Sequence, residues 1–479
     1  MTDTKTGENR ALLGGGAEED RIAAAHLLVG AAFLVLGGAL AVLSLFSLRF
    51  ADLTPITYGR LEPMANLTLM MGFGVISLAG GIYYVLPRLT GARLWRTDLA
   101  KLGLAALSAL VLAGLLALGF GLGTGRQPLG LPWWLDLPLT FALALPLVIT
   151  VGTVVNRTEE HSYVTLWFVL GGTAWLPLLQ LVNFAGDLPF LRAVAVAYTD
   201  VFFSAGFVTL FLYTVGTGLL YYATVKELDA PLASRQLAMV GFWSLGFAAA
   251  WWGAAQLIFG PGPGWVAGVA AALGLAFPVG ALANAANISL TLEGHWSKLS
   301  DRPGVFAGLL GLYLGVAVAA VAALGGFRSV AAVISLTTLW EAVEYVALNG
   351  VGVLLVAGTA LSALPRLVGR ELYPPHRART FTKLTLIGSI GVLFFLAAAG
   401  VVSGYSWIGG SNSGAYIDAG DGWGAGVGAS VDTLILIAVG FAGVLFVGQL
   451  AYASTLLGTI SRGKAASQEI LVSEDVNDE

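Results

Sequence analysis

The chain has 479 residues, of which 57% are hydrophobic and only 11% are charged. A soluble domain carries about 25% charged residues, so a soluble fold of this size is excluded. The net charge of −4 is small and negative, so it does not indicate a nucleic-acid-binding protein. The sequence has no cysteine, which excludes disulfides, thiolate-ligated heme and iron–sulfur clusters on this chain. Composition therefore predicts a polytopic membrane protein.

Twelve apolar segments follow one another, each long enough to cross a bilayer as a helix of about 20 residues. Their approximate bounds are 22–48, 64–86, 100–123, 133–155, 163–184, 195–223, 236–259, 264–290, 305–325, 331–364, 381–403 and 430–459. We therefore expect an all-α bundle of about twelve transmembrane helices at residues 22–460. A polar segment at 1–21 precedes it and an acidic tail at 461–479 follows it.

Lysine and arginine are divided unevenly between the connections of this layout. With the N-terminus placed in the cytoplasm, 19 of the 24 basic residues fall in cytoplasmic segments. Because cytoplasmic loops are enriched in positive charge, both termini are predicted to be cytoplasmic, in a multi-pass protein of the cytoplasmic (inner) membrane. No basic stretch precedes the first apolar segment, so no cleaved signal peptide is expected. The basic clusters around Arg88 and Arg366 are predicted to set topology and to contact anionic lipid.

Short motifs near the segment ends occur in a fixed order. They are Gly59-Arg60-Leu61-Glu62-Pro63, Tyr83-Tyr84-Val85-Leu86-Pro87-Arg88-Leu89, Gly218-Leu219-Leu220-Tyr221-Tyr222, Phe242-Trp243, the series Asn287, Thr291, Leu292, Gly294, Trp296, Lys298, Leu299 and Pro303, and Ala363-Leu364-Pro365-Arg366-Leu367. Over residues 22–405 the set resembles subunit I of the heme-copper oxidase superfamily, most of all that of the cbb-type cytochrome c oxidases. The resemblance implies a twelve-helix fold with two hemes, one copper and cytochrome c oxidase activity.

The resemblance also implies six histidine ligands within the helices, but this sequence has other residues at those positions. They are Ala65, Ala205, Ala255, Gln256, Val343 and Tyr345. The four histidines that are present, His26, His161, His295 and His376, are predicted at the cytoplasmic ends of segments or in connections. Because heme iron takes His, Met, Cys or Tyr as its ligand, we expect no heme and no copper on this chain. A methionine ligand from Met64 is the weaker alternative.

Two acidic residues fall inside the tenth apolar segment. Glu341 and Glu344 are three residues apart and share a helix face. At 1.5 Å per residue they are expected on the order of 9–14 Å below the outer end of the span. A charged group at this depth is costly and usually functional. The pair is interpreted either as a proton-carrying or cation-coordinating site, or as a protonated pair that packs the helix.

Other polar residues in or near the membrane have mainly structural interpretations. Asp200 and Asp432 are predicted to cap helices, and Trp251 and Trp252 to fill the space that a heme and a metal would occupy. Cross-helix hydrogen bonds are expected from Gln180, Asn183, Asn284 and Asn287. A long outer loop is predicted at 404–429, with Asp418 and Asp421 on a docking surface or on a floppy segment.

The favoured function is a membrane-integral subunit of a respiratory or electron-transfer complex. Such a subunit would anchor other subunits, among them a heme c or copper electron-transfer subunit on the outer side, and would carry protons through Glu341 and Glu344. The alternatives are a twelve-span secondary transporter, and a divergent terminal oxidase or nitric oxide reductase with unusual ligands. Lipids are the other expected partners, and nucleic acid is not expected.

Overall fold

The computed structural model describes residues 18–191, 193–413 and 423–465. In this part of the chain eleven helices are long and apolar enough to cross a membrane, and a pair of helices bent by 42° makes twelve when it is counted as one span. The crossings are α1 (Glu18–Ser47), α2 (Tyr58–Thr90), α3 (Thr97–Gly119), α4 (Trp133–Val155), α5 (Val164–Ala185), α6 (Ala193–Leu228), α7 (Arg235–Phe247 with Trp251–Leu257), α8 (Gly264–Thr291), α9 (Pro303–Gly325), α10 (Thr338–Val368), α11 (Pro375–Ser413) and α12 (Trp423–Arg462). The predicted all-α bundle of about twelve helices is confirmed.

Successive helices run in opposite directions, so their connections gather at two ends of the bundle. We call the end where α1 begins the near end; it carries the connections 91–96, 156–163, 229–234, 292–302 and 369–374. The far end carries the connections 48–57, 120–132, 186–191, 258–263 and 326–337. The sequence analysis left five basic residues outside the cytoplasmic segments. Four of them lie at the far end in the described part of the chain, namely Arg49, Arg60, Arg126 and Arg328.

The centre of the bundle is formed by α2, α6 and α10, which carry the most continuous runs of buried residues. Close approach of neighbouring helices depends on glycine. A Cβ atom on Gly358 of α10 would lie 2.7 Å from the carbonyl oxygen of Gly304 on α9. Helices in lipid associate through such small residues, so glycine at this position serves helix packing.

Each of the three central helices contains one widened, π-helical stretch. These stretches are Thr68–Val75 in α2, Phe207–Tyr213 in α6 and Ala347–Gly352 in α10. The three stretches contact one another in the middle of the bundle. Widened turns of this kind frequently mark functional sites, and here they locate the centre around which the candidate site is built.

Some predicted boundaries are wrong, two of them near the candidate site or the outer loop. The tenth segment begins at Thr338 and not near 331, because a separate short helix, Arg328–Ile334, ends before it. The predicted loop at 404–429 is largely helical where it is described, since α11 continues to Ser413 and α12 starts at Trp423. Asp418 and Asp421 lie outside the described residues.

Candidate functional site

The two predicted glutamates lie at the start of α10. Thr337 precedes the helix as its N-cap residue, and its hydroxyl accepts a hydrogen bond from the Leu339 amide at 3.5 Å. Glu341 is therefore in the first turn and Glu344 in the second. At 1.5 Å per residue they lie about 5 and 9 Å from the helix start, so the deeper placement expected from sequence was wrong. The late start of the helix is the cause.

Both glutamates accept hydrogen bonds from neutral side chains of other helices. The Tyr58 hydroxyl of α2 donates to Glu341 Oε2 at 2.9 Å. The Gln256 amide of α7 donates to Glu344 Oε1 at 2.7 Å. The side chains of the two glutamates are partly exposed, because they face a small cavity between α1, α2 and α10.

A third carboxylate, missed by the sequence analysis, faces the same cavity. Glu62 of α2 is 6% exposed, and its Oε2 accepts a hydrogen bond from the side-chain amide of Gln127 at 2.7 Å. It interacts electrostatically with both Glu341 and Glu344. The available signal was a lone acidic residue in the motif before Pro63, which was used only as a mark of resemblance. Because α2 begins at Tyr58, Glu62 belongs to the helix and not to a loop.

We call this space the acidic cavity. It is lined by Ala41, Ser44, Glu62, Ala65, Asn66, Glu341, Glu344, Tyr345 and Asn349. The volume that the centre of a water-sized particle can occupy is about 20 Å³. A cavity needs roughly 10–15 Å³ by this measure to hold one water, so it has room for about one small particle. Its walls are polar on the α2 and α10 sides.

Three of the six positions where the resemblance implies ligands are brought to this cavity. Ala65 and Tyr345 line it, and Gln256 reaches it through Glu344. The other three, Ala205, Ala255 and Val343, are fully buried in helix packing.

The histidines lie elsewhere. His26 is buried in α1, where its Nδ1 is 2.8 Å from the Ile22 carbonyl oxygen and its ring meets Tyr83 edge-on. His161, His295 and His376 are at the near end, in or beside connections. These three thus lie in or beside connections, as predicted, and His26 lies in the first part of α1.

Aromatic side chains fill the space next to the cavity. Trp252 of α7 is 1% exposed and stacks between Phe277 of α8 and Trp340 of α10, with ring centroids 5.9 and 6.3 Å away. Trp251 packs edge-on against Phe202. Both tryptophans are thus packed among aromatic rings of neighbouring helices.

A second group of carboxylates surrounds one arginine at the far end. Arg126 donates to Asp187 and to Asp200, each at 2.6 Å, and Asp136 accepts hydrogen bonds from Gln180 and Asn183 at 3.0 and 3.1 Å. We call Arg126, Asp136, Asp187 and Asp200 the Arg126 cluster. Asp200 is thus an ion-pair partner and not the predicted helix cap.

The charge of Arg126 is held firmly by this cluster. Burial alone would lower the pKa of Arg126, but hydrogen bonds and charges from Asp200 and Asp187 outweigh burial and raise it above its ordinary value. The cross-helix role predicted for Gln180 and Asn183 is confirmed. Asn284 and Asn287 make the same kind of contact, bonding to the Tyr221 hydroxyl at 3.0 and 3.2 Å.

Two near-end arginines differ from their predicted role. Arg88 pairs with Asp20 at 3.2 Å, and Arg366 lies 3.9 Å from Glu227 and 3.5 Å from the Tyr84 hydroxyl. Both guanidinium groups are buried, so they hold helices together and do not contact lipid. Asp432, predicted to be a cap, forms an exposed ion pair with Arg49.

Comparison with known proteins identifies the family of the chain. The family model described as "Cytochrome C and Quinol oxidase polypeptide I" matches residues 21–423. The chain belongs to this family. The match covers most of the membrane bundle and includes every residue of the acidic cavity. The resemblance inferred from the motifs is confirmed.

Individual relatives agree with this assignment. Cytochrome c oxidase subunit 1 of Rhodobacter capsulatus is 26% identical over 56% of this chain and 54% of its own length. The Cbb3-type cytochrome c oxidase subunit CcoN1 of Stutzerimonas stutzeri is 25% identical over 53% of this chain and 55% of its own. The chain thus spans about half the length of the curated relatives it matches. A solved heme-copper terminal oxidase superposes with a TM-score of 0.77, over 95% of this chain and 86% of its own, at 14% identity, which shows a shared fold.

The prediction that this chain carries no heme and no copper is wrong, because the chain belongs to a family of heme-copper oxidase subunits that carry hemes and copper. An alanine or valine at a ligand position shows only that this residue does not bind a metal. It does not show that the protein binds no metal. Ala65, Ala205, Ala255 and Val343 have no side-chain donor atom, so this set does not fit ligation of iron or copper. A bound heme or copper would need other donors.

Proposed function

We propose that this chain is the membrane-integral, subunit-I-like core of a respiratory electron-transfer complex, where it anchors the other subunits and carries protons through Glu341 and Glu344. The partners would include a heme c or copper subunit at the far end. The observation that carries the proposal is the acidic cavity, in which both glutamates face a water-sized space inside a fold of the oxidase family.

The proposed topology places the near end in the cytoplasm, with residues 1–21 and 461–479 flanking a membrane domain at 22–460. Its support is the excess of lysine and arginine in near-end segments, which hold 19 of the 24. The membrane would be the bacterial inner membrane, as for oxidase subunit I.

The contacts of Glu341 and Glu344 support proton transfer more than simple packing. A carboxylate that only packs a helix should be sealed from water, but both side chains are partly exposed to the cavity. Their hydrogen-bond donors are neutral side chains, Tyr58 for Glu341 and Gln256 and Ser204 for Glu344. Lone pairs therefore remain free to take up a proton, and a proton can be exchanged through water.

Paired double variants test this role. Glu341→Gln with Glu344→Gln keeps size and hydrogen bonding but removes the acid, whereas the double Leu variant also leaves Tyr58 and Gln256 without acceptors. The full complex is purified in mild detergent, its subunits are identified, and proton uptake is measured after reconstitution into vesicles. We expect the Gln variant to assemble and lose proton uptake, and the Leu variant to assemble poorly. An exposed Asp432→Asn variant serves as the control.

Normal proton uptake by the double Gln variant would remove the pair from the mechanism. Purification of the chain without any redox-active subunit would contradict the anchoring role.

A further inference from the structure

A second cavity lies at the near end, at the opposite end of the bundle from the acidic cavity. It is formed where α6 ends, α9 begins and α10 ends, against the connection 369–374. The volume that the centre of a water-sized particle can occupy is about 160 Å³. One water needs roughly 10–15 Å³ by this measure, so the space accepts a polar group much larger than water. We call it the near-end pocket.

Three arginines line the near-end pocket, and two of them have no carboxylate partner. Arg366 is the paired one, because it is buried and lies 3.9 Å from Glu227. Neither Arg302 nor Arg370 belongs to an ion pair found in the described part of the chain. Arg370 donates to the Ile460 carbonyl oxygen, which is neutral. Two guanidinium charges of the pocket are therefore not offset by a carboxylate contact.

The other carboxylates of the pocket do not cancel these two charges. Asp301 is 81% exposed and pairs at 3.6 Å with Arg379, which lies outside the lining. Glu371 lines the pocket, is exposed, and takes part in none of the ion pairs found among the described residues. Two positive charges and one negative charge thus remain without a partner, so the pocket favours an anion.

A buried hydroxyl without a partner lies in the same wall. Ser362 of α10 lines the pocket and is 8% exposed, and its hydroxyl makes no hydrogen bond. Serine inside a helix can bond to the carbonyl four residues earlier, as Ser289 of α8 bonds to Ala285. Ser362 does not use this acceptor. A buried hydroxyl that is left unpaired is costly, so an acceptor in the pocket would satisfy it.

The first turn of α9 adds backbone donors. The helix begins at Pro303, and Gly304 follows it. The first amides of a helix have no acceptor within it, and helix N-termini bind phosphate for this reason. A Cβ atom on Gly304 would lie 2.2 Å from Ser362 Oγ, so the unpaired hydroxyl lies directly against this helix start. Hydroxyl and amide donors are therefore adjacent, beside a lining with surplus positive charge.

We propose that the near-end pocket binds a phosphate group, held by the Arg302 guanidinium, the Ser362 hydroxyl and the first amides of α9, with Arg370 adding positive charge. Arginine suits this ligand because its planar set of donors matches phosphate oxygens. The phosphate belongs either to a phospholipid headgroup or to phosphate dissolved at the near end, since the pocket lies where the spans end. The proposal goes beyond proton transfer and does not depend on the acidic cavity.

Thermal unfolding of the purified complex after lipid removal tests the proposal, because a ligand that binds only the folded state raises Tm. One arm titrates potassium phosphate against potassium chloride at equal pH and ionic strength. The other titrates dioctanoyl phosphatidylglycerol against dioctanoylglycerol, which has the same chains and no phosphate. A rise in Tm with potassium phosphate identifies free phosphate as the ligand, and a rise only with the phospholipid identifies a headgroup. No rise in either arm overturns the proposal.

Matched variants assign the response to the pocket. Arg302→Gln and Ser362→Ala should each weaken the apparent affinity about tenfold, the effect of losing one hydrogen bond to a charged group. Arg302→Lys keeps the charge without the planar donors and should lose less than Arg302→Gln. Arg377→Gln is the control, because Arg377 is an exposed near-end arginine outside the pocket lining.

The control should bind as tightly as wild type. Equal losses of affinity in Arg302→Gln and Arg377→Gln would show a response to net charge alone and overturn the site. Unchanged affinity in the double variant Arg302→Gln with Ser362→Ala would also overturn it. Proton uptake should be unchanged in these variants, so the phosphate site and the role of Glu341 and Glu344 fail separately.

Discussion

Arg126 is expected to contribute more to stability than any exposed basic residue of the far end. Its guanidinium donates to Asp187, Asp200 and the Asn183 carbonyl oxygen, at 2.6, 2.6 and 2.9 Å. The side chains of Arg126 and Asp200 are 15% exposed and that of Asp187 is 5% exposed. The perturbation is Arg126→Gln, which keeps hydrogen-bonding capacity and removes the charge.

The expected loss follows from the distances. Two unit charges at 2.6 Å attract by about 6 kcal/mol in an effective dielectric constant near 20. Desolvation of the buried groups cancels much of this attraction. Removing one partner leaves the other charges buried and unpaired, and typically costs about 3–5 kcal/mol. We therefore expect Arg126→Gln to lower stability by about that amount.

The pH dependence has a defined sign. The pKa of Arg126 is raised above its ordinary value, so its stabilising charge is present below that value and is lost only when the pH rises through it. Between about pH 6 and 9 arginine is fully protonated. The difference in stability between wild type and Arg126→Gln that comes from the arginine should thus be constant over this range.

Thermal unfolding of the purified protein in one detergent measures the effect. Arg49→Gln is the matched control, because Arg49 pairs with Asp432 at the same end but both side chains are largely exposed, and exposed pairs contribute little. Arg126→Lys should be intermediate, since lysine keeps the charge but not the planar, two-sided geometry. Equal losses in Tm for Arg126→Gln and Arg49→Gln would refute the reasoning.

Two further predictions concern a helix end and a near-end ion pair. Gly369 ends α10 with φ of +63° and has nothing near its Cβ position, so Gly369→Ala should cost about 1 kcal/mol from backbone strain alone. Gly268 of α8 also has open space at its Cβ position but lies within a helix, so Gly268→Ala should stabilise the protein. The Tm values of the two variants should therefore move in opposite directions. Arg366→Gln should lower Tm by leaving Glu227 buried without its partner, and adding Glu227→Gln should restore part of the loss, a coupling that a double-mutant cycle measures.

The membrane fold could be predicted because its cause is local. An apolar stretch must satisfy its own backbone as a helix in lipid, so each crossing is visible in a window of the sequence. Helix ends were harder. Segment α2 starts at Tyr58 and not 64, because Gln127 and Tyr58 supply partners that make Glu62 tolerable inside the helix. A hydropathy window treats Glu62 as the end of an apolar segment, because hydropathy does not include hydrogen-bond partners elsewhere in the chain.

The candidate site could be predicted only in part, for the same reason. Glu341 and Glu344 share a helix face, which depends on spacing alone. Their hydrogen-bond donors cannot be found from spacing, because Tyr58 is 283 residues from Glu341 and Gln256 is 88 residues from Glu344. One sequence contains no signal that pairs such positions. The absence of cofactors was mispredicted from six substituted positions and from four histidines placed outside the helix interiors, and membership of the oxidase family overturns it.

The far-end connection 120–132 ties these observations together. Consecutive side chains of this connection reach two acidic groups: Arg126 pairs with Asp187 and Asp200, and Gln127 donates to Glu62 of the acidic cavity. The Arg126 guanidinium offsets part of the charge of the first group permanently, whereas the Gln127 amide leaves the charge of Glu62 to be balanced by a proton. A site that must take up and release a proton is disturbed by a fixed positive charge beside it, because that charge favours the ionised carboxylate. We therefore expect Gln127→Arg to leave assembly of the complex unchanged and to lower its proton uptake, measured in the same vesicle assay as the glutamate variants.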